Sequence, residues 1–274
     1  MMQELPELEI YRVMLAERYA GAQITGFQVH NHKITDLSED QLNVEIIDKT
    51  VWFVERRAQH LIFHLDNGRR LVLHISNQAY LYSYLKDENY DSSKASVTMQ
   101  FGNRHLSFHG LQRGDIQLLT VKGVEEYMKN FGPDPLNKRL SLNKFIEKFA
   151  KKRSSLKTAL MDQSCIAGIG PVYADEIAYE AGIRPDLKLS EMDAESWEKL
   201  FVAMGSILRE SISHGGAGQK PLFANDIFTG GYSERFKVIE REGTDCIRCG
   251  GTIEKISIGA RKAFICPNCQ SKPQ

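Results

Sequence analysis

The sequence predicts a multidomain α+β protein, and three observations carry that prediction. Up to about residue 130, apolar runs with partial alternation lie between short turn signals, the pattern of a β-rich region. Beyond FGPDPL, residues 131–136, the apolar spacing becomes helical. At the C-terminal end four cysteines stand in two tight pairs on either side of a short apolar segment. A chain of 274 residues exceeds the usual span of one domain, so two domains and a small module are expected, divided as 1–132, 133–240 and 241–274.

The elements follow in order. PELEIYRVMLAERYAG suits a helix: Pro6 fits its first position, acids fill its first turn and Gly21 ends it. AQITGFQVH (22–30) and KTVWFVERR (49–57) read as strands. LIFHLDNGRRLVLHI (61–75) is two apolar runs about Asn67-Gly68, a strong hairpin signal, and ASVTMQFGNRHLSFHG (95–110) repeats it near Gly102-Asn103. In the second half LNKFIEKFAKK has apolar residues at 142, 145, 146 and 149, a helical stripe. SSLKTALMDQ, PVYADEIAYEAG and EMDAESWEKLFVAMGSILRESISHGG read as three further helices, with Gly182 and Gly215-Gly216 as C-terminal stops.

A composition of 42% hydrophobic and 26% charged residues is that of a globular protein, and no apolar stretch approaches a membrane span. The acidic N-terminus has no apolar signal core, so a cytoplasmic location is expected. The net charge of zero conceals an asymmetry: residues 1–135 hold 14 Lys/Arg against 18 Asp/Glu, and residues 136–274 hold 21 against 17. The excess peaks in NKRLSLNKFIEKFAKKRSSLK, residues 137–157, with eight cations and Glu147 as the one acid. Such a run is either a solvated helix face or a nucleic-acid contact, and charge alone does not choose.

Cys246-x2-Cys249 and Cys266-x2-Cys269 are separated by sixteen residues. Four thiolates on two tight knuckles match tetrahedral Zn²⁺, and ISI and KAFI about Gly259 suit a hairpin between them. Two disulfides need the same even count, but nothing else points to an oxidising compartment. Four protein ligands close the site, so one zinc of structural type is expected. Cys165 reads as a buried apolar residue.

LPELE at the start, MDQSCIAGIGPVYADEIAYEAGIRP in the helical half and the four-cysteine hairpin together resemble the formamidopyrimidine-DNA glycosylase/endonuclease VIII family of base-excision repair enzymes, in order and over essentially the whole length. The resemblance implies an N-terminal β-sandwich with flanking helices, a helix–two-turn–helix domain and a zinc ribbon hairpin. It implies a monomer that binds damaged or distorted double-stranded DNA with the target nucleotide flipped out, because the glycosidic carbon is unreachable inside the stack. A bacterial protein associated with the nucleoid when bound to DNA, and with no membrane contact, is expected. Phosphate contacts are implied for His74, for Arg113, for Gly168 and Gly170 ahead of a helix, and for Arg261, five residues before Cys266. Lys220, in the glycine-rich segment 215–232 that covers the flipped base in the family, is a phosphate or base candidate, although a lysine in such a loop is more often simply solvated.

The chain departs from the family where the chemistry resides. The family's nucleophile is an N-terminal proline followed by glutamate, whose secondary amine attacks the sugar C1′ and leaves a Schiff base. Here Gln3 takes the proline's place and Glu4 that of the catalytic glutamate. Neither the Met1-Met2 nor the Met2-Gln3 junction presents the small residue that initiator removal favours, so the free amine is expected to be primary and displaced. Gln59 replaces a lysine that assists catalysis in one branch, and Asn77 a methionine that fills the gap left by the flipped base. Gln112 and Gly114 replace an arginine and an aromatic wedge, and Pro171 an asparagine. Two readings remain open: a glycosylase in which Glu4 activates water, with strand cleavage weak or absent, and a damaged-DNA or DNA-structure binding protein that has lost catalysis. Glu4 on its own also reads as simple charge complementarity to a helix N-terminus. A third variant lets the Met1 amine form the imine.

Overall fold

The computed structural model describes residues 3–75 and 79–270. The chain forms two compact units: Met1–Lys129 with His214–Gly231, and Asn130–Ser213 with Tyr232–Gln274. The second segment of the first unit falls within the expected 133–240 domain, so by contact the chain returns to the first unit after its longest helix. No helix among the described residues is long and apolar enough to cross a membrane.

The first unit opens with helix α1 (Leu5–Tyr19), with Pro6 in its first turn, where its missing N–H costs nothing. Strand β1 (Gly26–Val29), helix α2 (Glu39–Ile46) and strands β2 (Val51–Arg57), β3 (His60–Leu65), β4 (Arg70–His74), β5 (Tyr80–Leu85), β6 (Ala95–Phe101), β7 (Arg104–His109) and β8 (Ile116–Leu119) follow, then helix α3 (Val121–Met128). Two antiparallel sheets result, ordered β1-β6-β7-β5 and β2-β3-β4-β8. Both feed one core: Phe27, Met99, Leu106 and Phe108 of the first meet Val54, Phe63, Leu71 and Ile116 of the second. This is the expected β-sandwich, with α1 supplying Leu8, Tyr11, Leu15 and Tyr19 to the same core. The Asn67-Gly68 hairpin joins β3 to β4, its turn made possible by Gly68 at φ +82°. The Gly102-Asn103 turn joins β6 to β7. Helices α2 and α3 are absent from the sequence reading, although Ser38 and Gln41 form a capping box and Thr120 accepts from Gly123 N–H.

The second unit contains α4 (Leu142–Phe149), α5 (Leu156–Leu160), α6 (Pro171–Ala181) and α7 (Ala194–Ser213), then the hairpin of β9 (Glu254–Ile258) and β10 (Arg261–Ile265). The stripe read at 142–149 buries Phe145 and Phe149 against Trp197 of α7. Glu176 of α6, wholly buried, accepts from the backbone N–H groups of Lys237, Val238 and Ile239 at 3.0–3.1 Å, pinning the segment that leads to the hairpin. Burial raises its pKa against the pull of those three donors.

Candidate active site and nucleic-acid interface

The N-terminal edge is buried rather than frayed. Gln3, Glu4 and Glu7 are 4%, 0% and 4% exposed. Glu4 caps α1, and its backbone N–H donates to Glu7 Oε2 at 2.9 Å. The other Glu7 oxygen accepts from Ala217 N–H at 2.8 Å, so this glutamate ties the returning segment to the helix. Gly216 has to be glycine: φ is +65°, and a Cβ there would stand 2.9 Å from Glu7 Oε1. Gly218 also passes close to Gln3 and Glu7. Burial would raise the Glu9 pKa, but hydrogen bonds from Arg12 and from Arg56 of β2, at 2.8 Å each, hold it below the usual range. Gln3 Oε1 is buried and has no hydrogen-bond partner among the described residues.

The segment 215–232, unreadable from its glycines, is ordered by Asp226. Its carboxylate accepts from the N–H groups of Leu222, Phe228 and Thr229 and from the Thr229 hydroxyl. Leu222 enters the sandwich core, and its carbonyl accepts from Ser83 N–H at 2.6 Å. Lys220 lies with Nζ 4.2 Å from the centre of the Tyr80 ring, a cation–π contact.

At the far end of β4, His74 Nδ1 is 3.1 Å from Asp115 Oδ1, and the second Asp115 oxygen accepts from Gln112 N–H at 2.6 Å. One carboxylate therefore orients the half-exposed imidazole and closes the loop that carries Arg113. Arg113 itself is exposed, as is Gln112. His60 stacks under His74 at 4.6 Å and reaches Tyr127 Oη at 3.3 Å. Burial, with the His74 charge, pushes the His60 pKa down to about 3, keeping it neutral. Gln59 is half-buried in the β2–β3 turn, where its carbonyl accepts from Ile75 N–H at 2.9 Å. Asn77 and the Met1 amine lie outside the described residues.

In the second unit Gly170 is the N-cap of α6 and Pro171 its first residue. Gly168, at φ +90°, already donates its N–H to Gln163 Oε1 at 2.6 Å. Gln163 in turn donates to the carbonyls of Met161 and Ile169, so this side chain shapes the approach to α6. The basic run divides. Lys138, Arg139, Lys144, Lys148, Lys151 and Arg153 face solvent, while Lys152 pairs with Asp162 at 2.6 Å. Lys157, 2% exposed, reaches Asp175 at 2.8 Å and the Lys262 carbonyl at 2.6 Å. Asp175 also accepts from Phe264 N–H, so one buried ion pair joins α5, α6 and β10. Arg261 is exposed at the start of β10, 3.5 Å from Thr158 Oγ1.

The four sulfur atoms of Cys246, Cys249, Cys266 and Cys269 all lie within 4.8 Å of one another. The separations of 3.8 Å for Cys246–Cys269 and 3.4 Å for Cys249–Cys266 exclude disulfides. They suit a tetrahedron of Zn–S bonds of about 2.3 Å, whose edge is about 3.8 Å. Arg248 N–H and Gly251 N–H point at Cys246 and Cys249, the donors that stabilise thiolate charge. The cluster holds a single structural Zn²⁺. Cys165 is free and wholly buried, as expected.

Three family models match consecutive parts of the chain. The formamidopyrimidine-DNA glycosylase N-terminal domain matches residues 2–114, its H2TH domain 131–221, and the zinc finger found in FPG and IleRS 245–272. The formamidopyrimidine-DNA glycosylase of Herpetosiphon aurantiacus is 31% identical over 98% of this chain and 100% of its own length. The chain belongs to the formamidopyrimidine-DNA glycosylase family. That of Listeria monocytogenes is 30% identical over 98% of this chain and 100% of its own. Among solved structures, the complex of Lactococcus lactis Fpg with DNA containing an abasic site superposes with a TM-score of 0.90 at 28% identity, covering 98% of this chain and 100% of that one. A complex of Lactococcus lactis Fpg with Fapy-dG-containing DNA superposes at 0.88 with the same identity and coverage.

Within this glycosylase family fold, sequence reasoning missed three groups, each ordering a loop of its own unit that carries candidate residues. Asp115, Gln163 and Asp226 are each polar residues of loops, and no periodicity marks them. The S-x-x-Q at Ser38 and the capping hydroxyl of Thr120 are signals with a local rule behind them.

Proposed function

We propose that this glycosylase-family chain excises damaged bases from duplex DNA by direct hydrolysis, with Glu4 as the catalytic carboxylate and with little or no strand cleavage. The observation that carries the proposal is the N-terminal edge itself. Glu4 is kept, wholly buried at the cap of α1, while the position of the amine nucleophile is held by Gln3, whose carboxamide cannot form an imine. Without an imine the sugar C2′ proton is not acidified, so the abasic product is left intact. Glu4 instead takes the proton of an attacking water, whose oxygen bonds to C1′ as the glycosidic pair leaves on the base. Flipping exposes C1′ to that attack.

The remaining residues take grip and positioning roles in this reading. His74, held by Asp115, and exposed Arg113, Arg261 and Lys220 contact phosphates, supported by the six solvent-facing cations of 138–153. Gly168 and Gly170 shape the backbone ahead of α6 rather than both donating from it, since the Gly168 N–H is engaged by Gln163. Gln59 lies in the β2–β3 turn as a neutral replacement for a catalytic lysine. The lost wedge at Gly114 implies weaker filling of the gap in the duplex.

The test is a panel of duplexes carrying oxidised, ring-opened or alkylated bases, scored for free base and, after alkali, for strand breaks. Base release that needs alkali for cleavage, and that Glu4→Gln reduces by about 10³-fold, is expected. Tight binding without release from any lesion contradicts hydrolysis and leaves a damaged-DNA binding protein.

A further inference from the structure

Gln3 is more than a lost nucleophile. It is 4% exposed, and its Oε1 is a buried acceptor with no partner among the described residues. Buried acceptors in native proteins are paired with protein or water, and the exceptions call for an explanation. Two backbone donors of this edge are already engaged. The Ala217 N–H is committed to Glu7 Oε1, and the Glu4 N–H to Glu7 Oε2. Gly218 of the returning segment has no side chain to contribute and passes so that a Cβ on it would stand 3.7 Å from Gln3 Oε1. Gln3 Oε1 is thus covered but without a partner among the described residues.

We infer that Gln3 Oε1 holds the attacking water of the hydrolytic reaction, accepting one of its hydrogens while the oxygen faces C1′. This rests on the hydrolytic reading above and names the residue that replaces the proline in function. The residue occupies the place from which the family's nucleophile reaches the sugar, so a water held there starts from the same side. The balance is simple. Gln3 accepts a hydrogen bond and keeps its own atoms, Glu4 takes the water's other proton, the oxygen bonds to C1′, and the C1′–N pair leaves with the base, which then recovers that proton. Gln3 is therefore a positioning residue, and Glu4 remains the base.

The experiment compares single-turnover base release with binding to a duplex containing the uncleavable tetrahydrofuran abasic analogue. Gln3→Met fills the same space without the acceptor and should slow release by about 100-fold with the analogue's Kd unchanged. Gln3→Glu retains an oxygen at the same reach and should stay within about tenfold of the native rate. Gln3→Asn, which withdraws the amide by one methylene, should be slow like Gln3→Met, and serves if the methionine variant melts early. Native release rates in Gln3→Met overturn the inference and leave the hydrolytic reading standing. Equal slowing in Gln3→Met and Gln3→Glu, or a loss confined to binding or to one lesion, assigns Gln3 to structure or to base contact and overturns it too. No base release by the native protein from any lesion overturns both.

Discussion

Two buried polar regions of this chain are built differently. At the junction of α5, α6 and β10, the Lys157 ammonium meets Asp175, with the Lys262 carbonyl and the Phe264 N–H adding hydrogen bonds to the pair, and the Asp175 oxygen that has no hydrogen bond still faces the ammonium at 2.8 Å. At the start of α1, Glu7 accepts from the Glu4 and Ala217 N–H groups, yet Gln3 Oε1 and Tyr11 Oη, four positions to either side in sequence, are buried without a partner among the described residues. The first region is explained by packing and charge pairing alone. The second is not, and buried polar groups that stability does not account for concentrate where chemistry is done.

The strongest way to break this contrast is to put the missing nucleophile back. Deletion of Met2 with Gln3→Pro leaves Met-Pro ahead of Glu4, from which initiator removal exposes a secondary amine. Borohydride-trapped adduct on abasic DNA should rise on the order of 10³-fold over the native protein, read on a denaturing gel. Next in size is the metal. Cys249→Ser, or exhaustive chelation, should remove the one zinc seen by elemental analysis and unfold the hairpin that presents Arg261, weakening duplex binding by about 10–100-fold.

The buried pair sharpens the comparison from the other side. Lys157→Met strands Asp175 and should cost about 3–5 kcal/mol in denaturant unfolding, whereas Lys157→Met with Asp175→Asn should recover most of it. Smallest is a pH effect. Burial pushes the Asp175 carboxyl from 3.8 up to about 6 despite the Lys157 ammonium beside it. A raised acid favours the folded state when protonated, so this contribution is full below pH 3.8 and fades as the pH rises through 6. Relative to Asp175→Asn, the native protein should lose on the order of 1 kcal/mol between pH 4 and 7, followed by melting temperature.

Much of the fold was legible because its signals are local. Asn67-Gly68 and Gly102-Asn103 each close a hairpin, Pro6 and Gly182 bound their helices, and the cysteine spacing set the metal site. What sequence could not show was partnership at a distance. Lys157 sits in a run that looks uniformly solvated, yet it finds a carboxylate eighteen positions away, and nothing nearby separates it from Lys151. The return of 214–231 to the sandwich depends on Leu222 entering a core whose other buried members lie between Leu8 and Ile116, and on Asp226 folding the segment on itself. That Gly168 spends its N–H on Gln163 follows from a side-chain rotamer, which no spacing rule encodes.

The central claim is that this member of the family works without an imine. The most direct measurement incubates the native protein with a duplex containing a ring-opened purine and quantifies, in the same samples, free base and borohydride-trapped protein–DNA adduct. The account predicts base release with no adduct and an abasic strand that breaks in alkali. Adduct accumulating in proportion to the base released would contradict it.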